Sequence, residues 1–233
     1  MTDAPRFEGF ADTRARFFGE LTLHNDRDWF ETHRGEYQEG WLEPMKALLG
    51  ELRPLVARSY PGRGVAPPKV FRIHRDVRFS KDKSPYKTHV GGMLPVEAPR
   101  GDRSQVEVPL ALYFHVAYDE LFAGAGLYGM DPEALARHRA ALLDPRRGAE
   151  LSRIAASLTR RGYSLAAREA TRRPPPGVDP DHPRAELLKL KGLVAMGPAL
   201  PRRLLTSREL VGALAGQARA AAPLVRWLLR HVA

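Results

Sequence analysis

The densest polar run in the chain is KVFRIHRDVRFSKDKSPYKTH, residues 69–89. It sets Arg72, Arg75, Arg78, Lys81, Lys83 and Lys87 against only two acids, Asp76 and Asp82. Guanidinium groups offer planar, paired donors to a carboxylate or phosphate, and ammonium groups add point charges. A ligand with two or more negative charges would satisfy this cluster, helped by the hydroxyls of Ser80, Ser84, Tyr86 and Thr88. The candidate ligand-binding set is therefore Arg72, Arg75, Asp76, Arg78, Lys81, Lys83, Tyr86 and Lys87. A plainer reading competes with it. Charge runs are usually solvated faces, and exposed ion pairs contribute only about 0.2–1 kcal/mol each.

Two residues qualify for proton transfer, Asp76 and His115. Cations beside Asp76 lower its pKa, which suits an orienting or ion-pairing role better than that of a general base. His115 lies on the polar face of an alternating segment with Glu107, Tyr113 and Asp119. A strand sets His115 about 13 Å from Asp119, so these two form no dyad. A partly buried, hydrogen-bonded histidine is the structural alternative.

Weaker constellations read more simply as structure. Asp179, Asp181 and His182 carry metal-ligand chemistry, but three prolines and a glycine nearby favour turns and a helix cap. Trp29, His33, Tyr37 and Trp41 recur at helical spacing and could stack bases, yet such a stripe is usually core. The arginines between Arg137 and Arg173 lack any nucleic-acid-binding signature and read as solvated helix surface. AGAGLYG has G-x-G spacing without the third glycine of a dinucleotide fingerprint. No cofactor and no metal is expected.

Composition narrows the classes further. The chain has 233 residues, 43% hydrophobic and 27% charged, the balance of a globular protein. It has no cysteine, which removes disulfides, thiolate metal sites and cysteine nucleophiles. The start lacks the basic and apolar segments of a secretory signal, and no apolar run is long enough for a transmembrane helix. A cytoplasmic protein without membrane contact is expected. The net charge of +10 favours an anionic small molecule or nucleic acid as partner. Against that, the bases are 30 Arg to 7 Lys, a bias that a GC-rich genome produces without any partner.

These side chains must be carried by recognisable elements. Residues 7–57 read as helices, with Asn25 as an N-cap and Pro44 starting the last of them. From Val70 the period changes to two: Phe71, Ile73, Val77 and Phe79 face one way, Arg72, His74, Asp76, Arg78 and Ser80 the other. Residues 86–94 suggest a second strand with a bulge at Gly91-Gly92. Residues 106–118 form the clearest strand, and Pro109 implies a free edge there. A hairpin turn at Asp119-Glu120 leads into 121–128, where Gly124 and Gly126 permit close approach of a backbone or ligand. Helices are predicted over 132–143, 148–161, 185–191 and 207–232, the last capped by Thr206 with Glu209 and kinked at Pro223. Helices, then antiparallel strands, then helices indicate a single α+β domain over 1–233. Its curved antiparallel sheet has about five strands, including one near 193–197, with helices mainly on one face.

The run FRIHRDVRFSKDKSPYKTH resembles the signature of an uncharacterised bacterial and fungal family, the domain of unknown function numbered 2461. GFADTRARFFGELTLHNDRDWFETHRGEY, AGAGLYGMDPEALARHRAAL and PPPGVDPDHPRAELLKLKGL resemble its other blocks, so the likeness covers nearly the whole chain. It implies no particular activity, but it favours a functional role for so many specific polar side chains in 72–87. Three readings follow: binding of a phosphate-bearing ligand or nucleic acid through that segment, catalysis on a phosphorylated or carboxylated substrate, or an interaction protein in which the segment is only a structural ladder.

Overall fold

A computed structural model describes residues 5–78, 80–96 and 110–233. Helix α1 (Arg16–Leu23) buries Phe17, Phe18 and Leu21 on one stripe. Helix α2 (Arg27–Tyr37) is capped not by Asn25 but by Asp26, whose carboxylate accepts the Trp29 N–H at 2.9 Å. One wide π turn, Gln38–Leu42, joins α2 to α3 (Glu43–Ala57). Trp41, in that turn, is fully buried and stacks on Phe10 at 5.5 Å. The aromatic stripe is thus largely core: Tyr37 and Trp41 are buried, while His33 stacks on partly buried Trp29 at 4.0 Å.

Six strands form one open sheet: β1 (Lys69–Val70), β2 (His89–Pro95), β3 (Leu110–Ala117), β4 (Leu121–Leu127), β5 (Ser164–Ala166) and β6 (Leu193–Met196). Their order is β1-β2-β3-β4-β6-β5, and every neighbouring pair is antiparallel. The fold is α+β. Helices α4 (Pro132–Leu143) and α5 (Pro145–Arg160) follow β4, short α6 (Ala185–Lys189) precedes β6, and α7 (Glu209–His231) closes the chain. The predicted Thr206 cap is absent, since Thr206 ends a 3-10 turn and the Ser207 hydroxyl accepts the Glu209 N–H. Helix α7 runs through Pro223 without interruption.

Helices α3 and α7 pack on the same face of the sheet. Leu112, Phe114 and Val116 of β3 point into that layer and are buried. A Cβ on Gly92 would collide with Leu49 of α3, so this glycine lets the helix sit directly on β2. Gly91 and Gly92 therefore form no bulge: they pair in register with His115 and Phe114, and the irregularity lies at Leu94/Pro95. Gly126, at φ +144°, lies against the Leu193 carbonyl, the close backbone approach expected of it. The buried residues make one continuous cluster from Phe7 to Val232. Among the described residues no helix is long and apolar enough to cross a membrane.

The predicted strand over 70–80 is mostly irregular. Val70 pairs with Gly92, but the next bridge joins His74 to Tyr86. One side has advanced from 70 to 74 while the other has moved from 92 to 86, so the ladder breaks. The alternation still holds: Ile73 is buried, while Arg72, His74, Asp76 and Arg78 are exposed. Phe79, the strand's start at 106–109 and Pro109 lie outside the described residues.

Candidate functional site

The 69–87 ribbon is fastened to the fold mainly at Tyr86. The Asn25 amide donates to the Tyr86 carbonyl at 3.0 Å and accepts the Tyr86 N–H at 3.0 Å. The Tyr86 ring is buried and stacked on Phe30 at 4.1 Å. Tyr86 is therefore a structural anchor, with Arg34 sitting over the opposite Phe30 ring at 5.6 Å while paired with Glu31.

Beyond that anchor the polar residues diverge. Asp76 receives Arg78 through both carboxylate oxygens, at 2.9 and 2.6 Å. This hydrogen bond holds its carboxyl below the usual range. Arg75 is paired with Asp82, which also accepts the Ser84 N–H and hydroxyl. Those bonds, Ser84 first and Arg75 next, push the Asp82 pKa down strongly. Lys83 donates to the Val77 carbonyl at 3.0 Å. Arg72 and Lys81 stay exposed. Exposed pairs of this kind shape the loop while adding little stability.

Lys87 is different. Its ammonium lies 5.6 Å from the Phe71 ring centroid, with the Lys69 ammonium at 5.8 Å from the same ring. Burial, and then the charge of Arg72, lower its pKa. It stands at the rim of a cavity of about 600 Å³ on the sheet face opposite α3 and α7. Strand pairing decides what lines this cavity. His115 is opposite Gly91 and Phe122, Tyr113 is opposite Gly124, and Gly124 is opposite Met196. Residues opposite one another share a face, so His89, Tyr113, His115, Phe122, Val194 and Met196 make one mostly apolar concave floor.

Two histidines meet at one end of that floor. The His89 and His115 rings are 4.2 Å apart, and His115 also stacks on Phe122 at 4.6 Å. Burial, with His89 adding to it, lowers the His115 pKa to about 4, and burial then Lys87 lowers that of His89. Both rings are neutral at pH 7 as a result. Tyr113, whose pKa burial pushes up to about 12, keeps its proton and shares a hydrogen bond with His115 Nδ1 at 3.0 Å. His115 Nε2 lies 3.4 Å from the Glu120 carboxylate and makes no hydrogen bond among the described residues. A Cβ on Gly91 would lie 2.9 Å from the Tyr113 hydroxyl, so the glycine makes room for this bond.

Of the candidate ligand-binding and catalytic residues, Lys87 and His115 border the cavity, and so do Gly124 and Gly126, the glycines expected to allow close approach. Asp76 does not, and lies on the exposed ribbon. His89, Phe122, Val194 and Met196 were not singled out by the sequence. Continuing the period-two pattern from His89 through Gly91 to Met93 would have found the histidine, but pairing of 89–95 with β3 is needed to set it beside His115. Asp179, Asp181 and His182 form a turn, with Asp181 N–H on the Asp179 carboxylate and Arg184 N–H on His182 Nδ1. No group of three potential metal ligands comes together among the described residues.

A family model for the conserved hypothetical protein family DUF2461 matches residues 13–227. The chain belongs to this family. The match spans both the 72–87 ribbon and the strands that floor the cavity, so the pocket is built from DUF2461 segments throughout. Searches of the curated proteins and of the solved structures return no match.

Proposed function

We propose that this DUF2461 protein binds a small anion with an apolar body in the pocket on the sheet face opposite α3 and α7. The supporting observation is Lys87, a partly desolvated ammonium at the rim of a mostly apolar cavity. A carboxylate or phosphate there gains a charge-assisted hydrogen bond and restores the lysine's ordinary pKa. Phe122, Val194 and Met196 would hold the rest of the molecule. Arg72 and Lys81, on the exposed ribbon, add long-range attraction. This narrows the partner to a small molecule in preference to nucleic acid, because a single-chain polyanion would use the exposed ribbon and leave the cavity empty. The cysteine-free composition fits a cytoplasmic site of action.

The test uses 8-anilinonaphthalene-1-sulfonate, an aromatic anion whose fluorescence rises on desolvation. Saturable 1:1 binding is expected, weakened about fivefold or more by Lys87→Gln, since a hydrogen bond to a charged group contributes about 1.5–3 kcal/mol. Binding that Lys87→Gln leaves unchanged would remove the proposal.

A second reading has one observation in its favour. With Nδ1–H donated to the Tyr113 hydroxyl, a neutral His115 turns the lone pair of Nε2 outward, the arrangement of a general base oriented by a neighbour. On that reading the pocket acts on a carboxylated or phosphorylated substrate, with Lys87 stabilising developing charge. Asp76 has no part in it.

A further inference from the structure

A second cavity, of about 520 Å³, opens on the opposite side of the molecule, where the end of α3 meets α5 and α7. Tyr60, Pro61 and Arg63 come from the turn after α3, Glu150 and Ile154 from α5, and Pro223, Arg226, Leu229 and Arg230 from α7. The turn is tight. Gly62 takes a φ of +77°, and the Arg63 N–H bonds back to the Tyr60 carbonyl at 3.1 Å, which folds the arginine over the tyrosine. Positions 223, 226 and 230 fall on one stripe of α7, and 150 and 154 on one stripe of α5.

Two features of this cleft are unexplained by folding. The first is polar groups without partners. Tyr60 is 2% exposed, and among the described residues its hydroxyl has no hydrogen-bond partner; neither does the buried Nη1 of Arg63. Buried polar groups are paired in the great majority of cases, and an exception calls for a reason. The second is charge. Arg63, Arg226 and Arg230 line the cleft against the single carboxylate of Glu150. Arg230 is tied to Glu150 at 2.5 Å. The guanidinium groups of Arg63 and Arg226 have no ion-pair partner among the described residues. The local formal charge is +2, three arginines less one glutamate.

We propose that this cleft binds the phosphate group of a small phosphorylated molecule. A phosphate monoester carries about −1.5 to −2 at neutral pH, which matches the local surplus. Its three oxygens accept the paired donors of Arg63 and Arg226 and the proton of the Tyr60 hydroxyl. The cavity is larger than phosphate alone, and Pro61, Ile154, Pro223 and Leu229 give its walls apolar surface for an organic remainder. Arg226 already acts on Tyr60, since its charge opposes the upward push of burial on the phenol pKa. The inference stands apart from the sheet-face pocket, with which it shares no residue.

The experiment titrates the full chain with inorganic phosphate at low ionic strength and follows the arginine Nε–Hε NMR signals. Saturable shifts are expected at Arg63 and Arg226, with Arg72 unmoved. Arg226→Gln should weaken the apparent affinity about tenfold, the scale of losing a charged bidentate donor. Tyr60→Phe should weaken it several-fold while leaving the thermal midpoint of the phosphate-free protein unchanged or raised, because the hydroxyl lost has no partner there. Lys87→Gln should bind phosphate as wild type does, which separates this site from the first. The proposal is overturned if no saturable shift occurs, or if Arg226→Gln binds equally well. It is likewise overturned if a single-stranded oligonucleotide displaces phosphate with the steep salt dependence of a polyanion, which would make the cleft part of a nucleic-acid surface.

Discussion

Asn25 and Tyr86, 61 positions apart, are joined by two hydrogen bonds in which one side-chain amide serves both the N–H and the carbonyl of a single residue. Only an amide can donate and accept in this way: a carboxylate lacks the donor and an alanine lacks both. The clamp stands where regular strand pairing has failed, so it replaces ladder bonds in holding the 72–87 ribbon to the helical layer.

Replacing Asn25 should therefore cost more than its partial exposure suggests. Asn25→Asp leaves the Tyr86 carbonyl without its donor, and Asn25→Ala leaves both main-chain groups unpaired. Losses of about 1–3 kcal/mol are expected from equilibrium urea unfolding, with Ala at the upper end. Faster amide exchange should appear at Lys87 and Arg75, whose N–H groups bond across the ribbon to Ile73 and Pro85. An unchanged midpoint in both variants would mean the clamp is idle.

The sheet and its order of elements were legible because alternation of side chains is a local property. Residues 110–117 and 121–127 show it plainly, and α4 matches its prediction from Pro132 to Leu143. The ribbon also alternates, yet it is not a strand beyond Val70, because pairing depends on a partner 12 to 22 residues away whose register slips. The candidate site divided for the same reason. Charge density pointed to 72–87, but Arg78 reaches Asp76 and Arg75 reaches Asp82 within the ribbon itself. Lys87 joins the cavity only through β2, and the meeting of His89 with His115 rests on β2–β3 register. That register is a long-range fact no window of sequence contains.

The two adjacent glycines of β2 offer a direct comparison, since their faces differ. Gly91→Ala adds a Cβ 2.9 Å from the Tyr113 hydroxyl, the mobile end of a side chain, which can yield only by leaving His115. Stability should fall by about 1 kcal/mol or less, while binding of the anilinonaphthalene probe weakens several-fold. Gly92→Ala instead drives a methyl into Leu49 of α3 and tight against the Lys69 carbonyl. Overpacking there should cost about 1–3 kcal/mol and leave probe affinity largely intact in the folded fraction. Thermal melts and fluorescence titrations on the two proteins check both arms. Equal behaviour would mean the two sheet faces are not functionally distinct.

Exposed pairs in the ribbon should behave as shaping contacts with little energetic weight. Arg78→Ala removes the partner of Asp76 on a fully solvated loop. Only a slight shift of the denaturation midpoint is expected, and it should shrink further in added salt. Denaturant curves at low and high ionic strength measure it. A loss of several kcal/mol would show that the loop supports the core, contrary to its exposure.

Acid should destabilise the protein over a window set by two buried histidines. His115 and His138 both have pKa values lowered from 6.5 to about 4, in each case chiefly by burial. Between those values the unfolded chain binds protons that the folded chain refuses, so stability falls as pH falls. The contribution is fully present above pH 6.5 and is lost progressively toward pH 4. A shift of that size corresponds to at most about 3 kcal/mol for each ring. His138 is completely buried edge-on to Trp227, at 5.9 Å, and borders neither candidate site. His138→Leu keeps an apolar side chain of similar bulk there, so stability at pH 8 should change by no more than about 1.5 kcal/mol. The slope of stability against pH between 6.5 and 4 should drop by the share of one histidine, the remainder coming from His115, His89 and His231, whose pKa values are also lowered. An undiminished slope would assign the acid sensitivity to other groups, and the neutral state of the buried imidazoles would have to be abandoned with it.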